Sequence, residues 1–391
     1  MQARDRRRLK LCLFLWGAGE GLFVYLLPLY IRSLGGDATA VGLTFAIQFA
    51  VAGASTLLAG PAVDRLGQRP LIRAAALVAA PGIVIWAFAP RWPWMIPGMV
   101  LFALSFAVIP ALNAYVSSGD DDHVGAFGAT FAFFSLGMIV TPGLGGLIAA
   151  HFHSIRAVFA VTLVLYAASI AVVWNITPGQ IEPHEPLRTA LRAIGTNRRL
   201  LLLCAYLVAL LFVMSMTNSF VGPYLQDVDH AGDAAVGLLG ACISLGEFLM
   251  GASLGRVNER LGRVRTLVAL QAALALSLLL VLTVHWAPVL APAFLLRGAI
   301  ITVGTMVIAF VGGVLPARQQ GAGFGLMETG FQAGMMAAAY VGGLLYAGGP
   351  ARPFVVSLAL LAVTAIATVA LGPLFATAPR QAVAEQIHAA R

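Results

Sequence analysis

Long apolar runs dominate this chain, cut at intervals by Gly, Pro and charged clusters. A stretch such as Leu267 to Val284 is apolar on nearly every side instead of along one stripe. At 1.5 Å per residue, such a run is long enough to cross about 30 Å of hydrocarbon. The period-two alternation of a membrane strand is absent. The breaks predict twelve helical spans near 11–31, 40–62, 71–89, 95–117, 126–150, 156–175, 199–222, 234–254, 265–284, 289–315, 322–347 and 353–376. The longest polar interval, about 177–198, holds Pro178, Glu182, Pro183, Glu185 and Pro186, then a short basic helix candidate, Leu187 to Ile194. The expected organisation is a six-helix bundle over 1–175, a linker over 176–198 and a second six-helix bundle over 199–391 ending in a short tail.

The two bundles share a phrase. Gly60-Pro-Ala-Val-Asp64-Arg65-Leu66-Gly67-Gln-Arg69 returns as Gly255-Arg-Val-Asn-Glu259-Arg260-Leu261-Gly262-Arg263. At a fixed offset of 195, residues 39–72 and 234–267 are identical at nine of 34 positions, with Asp64 over Glu259. That marks an internal duplication.

Composition supports the membrane reading: 60% of the 391 residues are hydrophobic, 10% are charged, and the mean hydropathy is +0.90. The net charge of +8 suggests nucleic acid until the basic residues are placed. With odd-numbered spans running outward, nineteen of the 24 fall on the side of both termini. Four (Arg32, Arg91, Arg156 and Arg352) fall on the other, and only Arg297 lies within a span. By the positive-inside rule both termini are cytoplasmic, in a bacterial inner membrane, and no nucleic-acid partner is expected. The basic N-terminus leads into an apolar run without a convincing cleavage site, so it reads as a retained first span. Cys12, Cys204 and Cys242 lie in apolar segments, and neither a disulfide framework, a metal site nor a cofactor is expected. No phosphate-cradling GxxxxGK[ST] element is present, and the seven histidines, scattered over loops and tail, assemble no acid/base or nucleophile pair, so no enzymatic activity is expected.

Twelve spans, a central linker and the Gly60, Asp64, Arg65, Gly67 and Arg69 element between the second and third spans resemble the major facilitator superfamily. The resemblance covers essentially the whole chain, and Gln68 departs from the family's basic preference. It implies that fold, with a substrate site near the midplane between pseudo-symmetric halves, and a chain that works as a monomer. It also implies that Asp64, Arg65 and Arg69, with Glu259, Arg260 and Gly262 in the second copy, latch the halves on the cytoplasmic side in the outward-open state. Orientation of the chain during insertion is the plainer role for those charges. Gly60 and Gly67 are expected to permit a tight turn and close helix approach.

On the fifth span, Gly137-Met-Ile-Val-Thr141-Pro142-Gly143-Leu144-Gly145-Gly146 resembles the Gly-x-x-x-Gly-Pro-x-x-Gly-Gly signature of drug:proton antiporters, with Thr141 in place of the second glycine. Pro142 is expected to kink that span, and the glycines to admit neighbouring backbones. Small-residue packing of no special function is the alternative. The eleventh span echoes the pattern at Gly334, Gly342 and Gly343 without the proline.

Within the spans stand three acids, Glu20, Glu247 and Glu328, and the base Arg297. A charge at the bilayer centre costs about 2.5–3.5 kcal/mol even on the lenient insertion scale, so these residues should face a cavity or one another. Glu20, near midplane, suits a carboxyl that exchanges proton for substrate. Trp16, Glu20, Phe23, Leu27 and Tyr30 follow a 4-3-4-3 spacing that predicts one face, an aromatic surround for a lipophilic or cationic substrate or else plain packing. By resemblance, the first, fourth, seventh and tenth spans line the cavity, which adds Asn113 and Asn218. Arg297 is expected either to pair with Glu247 or to hold an anionic substrate group. Glu328 and Gln332, near the cytoplasmic end of the eleventh span, read as gating contacts, with an acid snorkelling to the interface as the alternative.

The leading expectation is a proton-coupled transporter that exports a small lipophilic or amphipathic compound by alternating access. The alternatives are a proton-coupled importer of an anionic metabolite and a lipid or lysolipid translocator.

Overall fold

The computed structural model describes residues 3–117, 123–177, 195, 198–314 and 317–375, and every regular element among them is helical. Ten of the described helices are long and apolar enough to cross a membrane, and the pair Arg4–Phe23 and Leu27–Ser33, bent by 42°, makes an eleventh span. The predicted eleventh span, 322–347, lies in the helix Ala317–Ala347. The linker helix expected over Leu187 to Ile194 falls outside the described residues.

The second and eighth spans are longer than predicted, running over Ala38–Leu66 and Asp233–Leu261. The repeated phrase therefore lies on the last helical turns instead of in a loop, and Gly60 is helical instead of part of a turn. Reversal is left to one residue per copy, Gly67 at φ 82° and Gly262 at φ 77°. Each ends one helix and begins the next, in a backbone region that L side chains enter only under strain.

Four spans are not the continuous helices predicted. The first breaks at 24–26, and the fourth passes through a 3-10 turn, Ser105–Ala107, between Met95–Leu104 and Val108–Ser117. The seventh breaks after Arg198–Ser215 and resumes through Asn218–Phe220 into Val221–Asp227. The tenth breaks at Arg297 and Gly298, between Ala287–Leu296 and Ala299–Val314. Proline accounts for three of these. Pro28, Pro110 and Pro223 carry no amide hydrogen and crowd the carbonyl four residues back, at Val24, Phe106 and Ser219, each within the interrupted stretch. In the tenth span Gly298 is instead pressed against the backbone of Gly246 and Glu247, where a β-carbon would not fit. Proline alone does not force a break: Pro81 and Pro142 sit inside helices that continue through them, Gln68–Phe88 and His123–Phe152. The expected Pro142 kink does not divide the fifth span.

Two glycine crossings join the early and late parts of the chain. The second span meets the eleventh where a β-carbon on Gly42 would lie 2.6 Å from the Ala339 carbonyl oxygen, and one on Gly343 2.8 Å from that of Ala38. The fifth meets the eighth where a β-carbon on Gly146 would lie 2.5 Å from the Asp233 carbonyl oxygen, and one on Gly237 2.9 Å from Gly146 Cα. Gly42 and Gly237 are counterparts in the repeat, so one crossing reproduces the other. Both lie toward the end of the bundle where the first span finishes. Backbones this close replace bulky side-chain contacts with extensive van der Waals contact, which drives helix association where there is no water to expel.

Candidate functional site

The breaks of the first, seventh and tenth spans converge between the two parts of the chain. Tyr25, inside the first break, places its hydroxyl 2.9 Å from Ser244 Oγ on the eighth span. Its ring lies against Gly240, and its carbonyl oxygen would be 3.3 Å from a β-carbon on Gly222 of the seventh. Arg297, at the tenth break, is 0% exposed and donates from Nη2 to Thr217 Oγ1, 2.9 Å away at the seventh break. Its Nε and Nη1 are buried without a hydrogen-bond partner.

Two carboxyls border this cluster. The Glu20 carbonyl accepts from Val24 N at 3.0 Å, one helical turn before the first break, and its side chain is partly buried. Glu247 follows Ser244 by about one turn, and its backbone abuts Gly298. The Tyr25 hydroxyl lies within electrostatic reach of Glu247, Arg297 and Glu20. Among the described residues neither carboxylate joins an ion pair or a side-chain hydrogen bond. Of the two expectations for Arg297, the pair with Glu247 is therefore not formed; the guanidinium's hydrogen bond goes to Thr217.

The aromatic stripe keeps one face across the break between Phe23 and Leu27, as packing: Phe23 and Tyr30 both meet Phe159, with ring centroids at 6.1 and 5.0 Å. Phe23 is 1% exposed and packs edge-on against Trp86 and Phe102, with ring centroids at 5.5 and 5.7 Å. Tyr30 is likewise buried; its hydroxyl donates to the Trp86 carbonyl at 2.8 Å and accepts from Arg156 Nε at 3.2 Å. Both are packing residues of the first six spans. Trp16 packs edge-on against Phe134 of the fifth span. Asn218 begins the 3-10 turn at the seventh break and is partly buried. The side chain of Asn113 falls outside the described residues.

The antiporter-like motif has a specific geometry. Gly137 and Gly145 press against the first span at Ala18 and Leu22, while Gly146 faces the eighth. Thr141, the residue that departs from the signature, donates to the Ala18 carbonyl at 2.7 Å and the Gly137 carbonyl at 3.0 Å. Glycine could make neither bond. Its echo behaves alike: Gly334 and Gly342 meet the seventh span near Val208 and Met216.

At the end of the bundle carrying Gly67 and Gly262, Arg65, Glu259 and Arg260 are exposed and join no ion pair among the described residues. Arg69 is partly buried, and the side chain of Asp64 falls outside the described residues. Glu328 accepts from Gln332 Nε2 at 2.9 Å, and Gln332 abuts Gly53 of the second span. The opposite end carries a polar closure that the sequence reading missed. Arg32 Nη2 meets Asp227 Oδ1 at 2.8 Å, and the Tyr346 hydroxyl donates to Asp227 Oδ2 at 2.7 Å. Tyr25, Ser244 and Thr217 were missed as well; Thr217 and Tyr25 stand at breaks, and Ser244 is a small polar residue with no periodic signal. No group of three or more His, Cys, Asp or Glu among the described residues could hold a metal ion.

Comparison with known proteins agrees with this geometry. A family model described as Major Facilitator Superfamily matches residues 9–232 and 207–389. The chain is 23% identical over 287 residues to the multidrug resistance protein MdtG of Yersinia enterocolitica, covering 69% of this chain and 68% of that one. It is 25% identical over 278 residues to the multi-drug resistance efflux pump PmrA of Streptococcus pneumoniae, covering 66% and 68%. Among solved structures, the nucleoside transporter NupG superposes with a TM-score of 0.77 at 15% identity, covering 95% of this chain and 99% of that one. A bacterial homologue of the human lysosomal transporter Spinster gives 0.69 at 14% identity, covering 96% and 98%.

Proposed function

Because this chain belongs to the Major Facilitator Superfamily, we propose that it is a proton-coupled exporter of small lipophilic or amphipathic compounds, working by alternating access in the bacterial inner membrane. The relatives named for multidrug resistance and efflux, MdtG and PmrA, support export as the direction. The observation that carries the reading is Glu20 and Glu247, two carboxyls without an ion-pair partner among the described residues, beside the converging breaks of the first, seventh and tenth spans. A carboxyl in a low-dielectric site favours its neutral form, and a cationic or polar cargo that replaces the proton restores charge balance. Glu20 is the coupling residue in this reading, and Glu247 a second carboxyl within electrostatic reach of the same Tyr25 hydroxyl.

With the positive-inside rule setting orientation, the glycine crossings and the Arg32–Asp227–Tyr346 cluster close the outer face. Arg65, Glu259 and Arg260, which join no ion pair among the described residues, then lie on the cytoplasmic face, the side from which an inward-open state is reached. Outward opening requires the glycine crossings to part and the cytoplasmic charges to engage as the halves 1–175 and 199–391 rock about the site.

Proton movement on addition of substrate tests the direction. In proteoliposomes containing a pH dye, antiport of a cationic substrate drives protons opposite to substrate movement, whereas symport moves them together and would support the importer reading instead.

A further inference from the structure

Building on the export reading, we propose that Arg297 receives an anionic group on the cargo, so that the preferred compounds are amphoteric, carrying a compact acid together with a basic amine. Arg297 is the only basic side chain among the described residues that is wholly buried inside a span, and of its three nitrogens only Nη2 has a partner, the neutral Thr217 hydroxyl. A guanidinium does not shed its proton, so unlike the two carboxyls it has no neutral state in which to wait. A buried charge of this kind needs a counter-charge. Neither nearby carboxyl supplies it: Glu247 and Glu20 form no ion pair with Arg297, and the Tyr25 hydroxyl is taken up with Ser244. The planar fork of donors matches a carboxylate or phosphonate.

The charges also fit exchange. With both carboxyls protonated, Arg297 leaves the site positive, which favours a cargo that brings an acid along with its cation. When the amine of an amphoteric cargo displaces the proton from Glu20 and its acid meets Arg297, both charges of the site are matched. A simple anion matches only Arg297 and gives no reason for the proton to leave.

The test uses the full chain in proteoliposomes with a rhodamine that bears a free carboxylate and the methyl ester of the same dye. Under an imposed proton gradient, the wild type should move the acid about tenfold faster than the ester, the scale of a charge-assisted hydrogen bond. Arg297→Gln should remove that preference, bringing the acid rate down to that of the ester, and Arg297→Lys should keep part of it. A variant that slows acid and ester equally, or that retains the preference, overturns the proposal and makes Arg297 a structural residue or a partner of Glu247. If Arg297→Gln does not fold, Thr217→Val, which frees Nη2 as a further donor, should keep or strengthen the acid preference, and loss of the preference overturns the proposal. If neither dye follows the gradient in the wild type, the export reading fails. Fluorescence anisotropy then still decides the role of Arg297: weaker binding of the acid alone in the variant supports it, and equal binding of both dyes overturns it.

Discussion

Arg32 and Asp227 occupy the same place in the two copies of the repeat, 195 residues apart, and their side chains meet at 2.8 Å. A residue that touches its own counterpart lies beside the axis relating the copies. The two copies carry opposite charges there, so the contact is an attraction where identical charged residues would have repelled.

This pair and the Tyr346 hydroxyl should bias the protein toward the state closed at that end. Both charged side chains are about one third exposed, at 32% and 28%, so solvent screens the pair and its contribution is about 0.2–1 kcal/mol. Arg32→Ala or Asp227→Asn should therefore shift the closed-to-open ratio by up to about fivefold, and the swap Arg32→Asp with Asp227→Arg should restore it. Pulsed-EPR distances between labels at the exposed residues Ser33 and His230 measure the populations.

The glycine crossings should matter more. Gly42→Val and Gly237→Val each force atoms into a neighbouring backbone at equivalent places. Each should cost the closed state about 1–3 kcal/mol and lengthen the same label distance to a similar degree. Strongly unequal effects would show that the two crossings are not equivalent.

Much of the fold is legible in the sequence because apolar length and charge placement answer to the bilayer itself. The breaks are less so: Pro28, Pro110 and Pro223 interrupt their spans while Pro81 and Pro142 do not, since the outcome depends on whether neighbouring backbones can hold the freed groups. The stripe from Trp16 to Tyr30 is a packing face, with Phe23 and Tyr30 meeting the same Phe159 on either side of the break at 24–26, while Tyr25, outside the pattern, reaches the site from the break itself. Glu20, Glu247 and Arg297 stand out because charge is so rare in the spans, but their partners belong to tertiary structure. The Arg32–Asp227 contact was within reach of the sequence, at the very offset that the repeated phrase defines.

Thr141 offers a test of the motif. Its hydroxyl ties the fifth span to the Ala18 carbonyl of the first, two residues before Glu20. Thr141→Val keeps the shape and removes that bond, at a cost of about 1 kcal/mol. Lower thermal stability with proton coupling intact is expected, read from thermal unfolding and gradient-driven transport side by side.

At the opposite end, Asp64→Asn should weaken a latch that forms only when that face closes. The expected outcome is a larger population closed at the Arg32–Asp227 end and slower turnover, seen in the same label distances. Unchanged populations and turnover would reduce the repeated phrase to a topology signal.

The central claim, that Glu20 couples proton movement to cargo, is tested most directly by Glu20→Gln in proteoliposomes under an imposed pH gradient. Glutamine keeps the size and hydrogen-bonding capacity of the acid but cannot exchange a proton. The account predicts a folded protein that still binds an uncharged amphipathic dye and no longer accumulates dye against its gradient; full gradient-driven accumulation by the variant would contradict it.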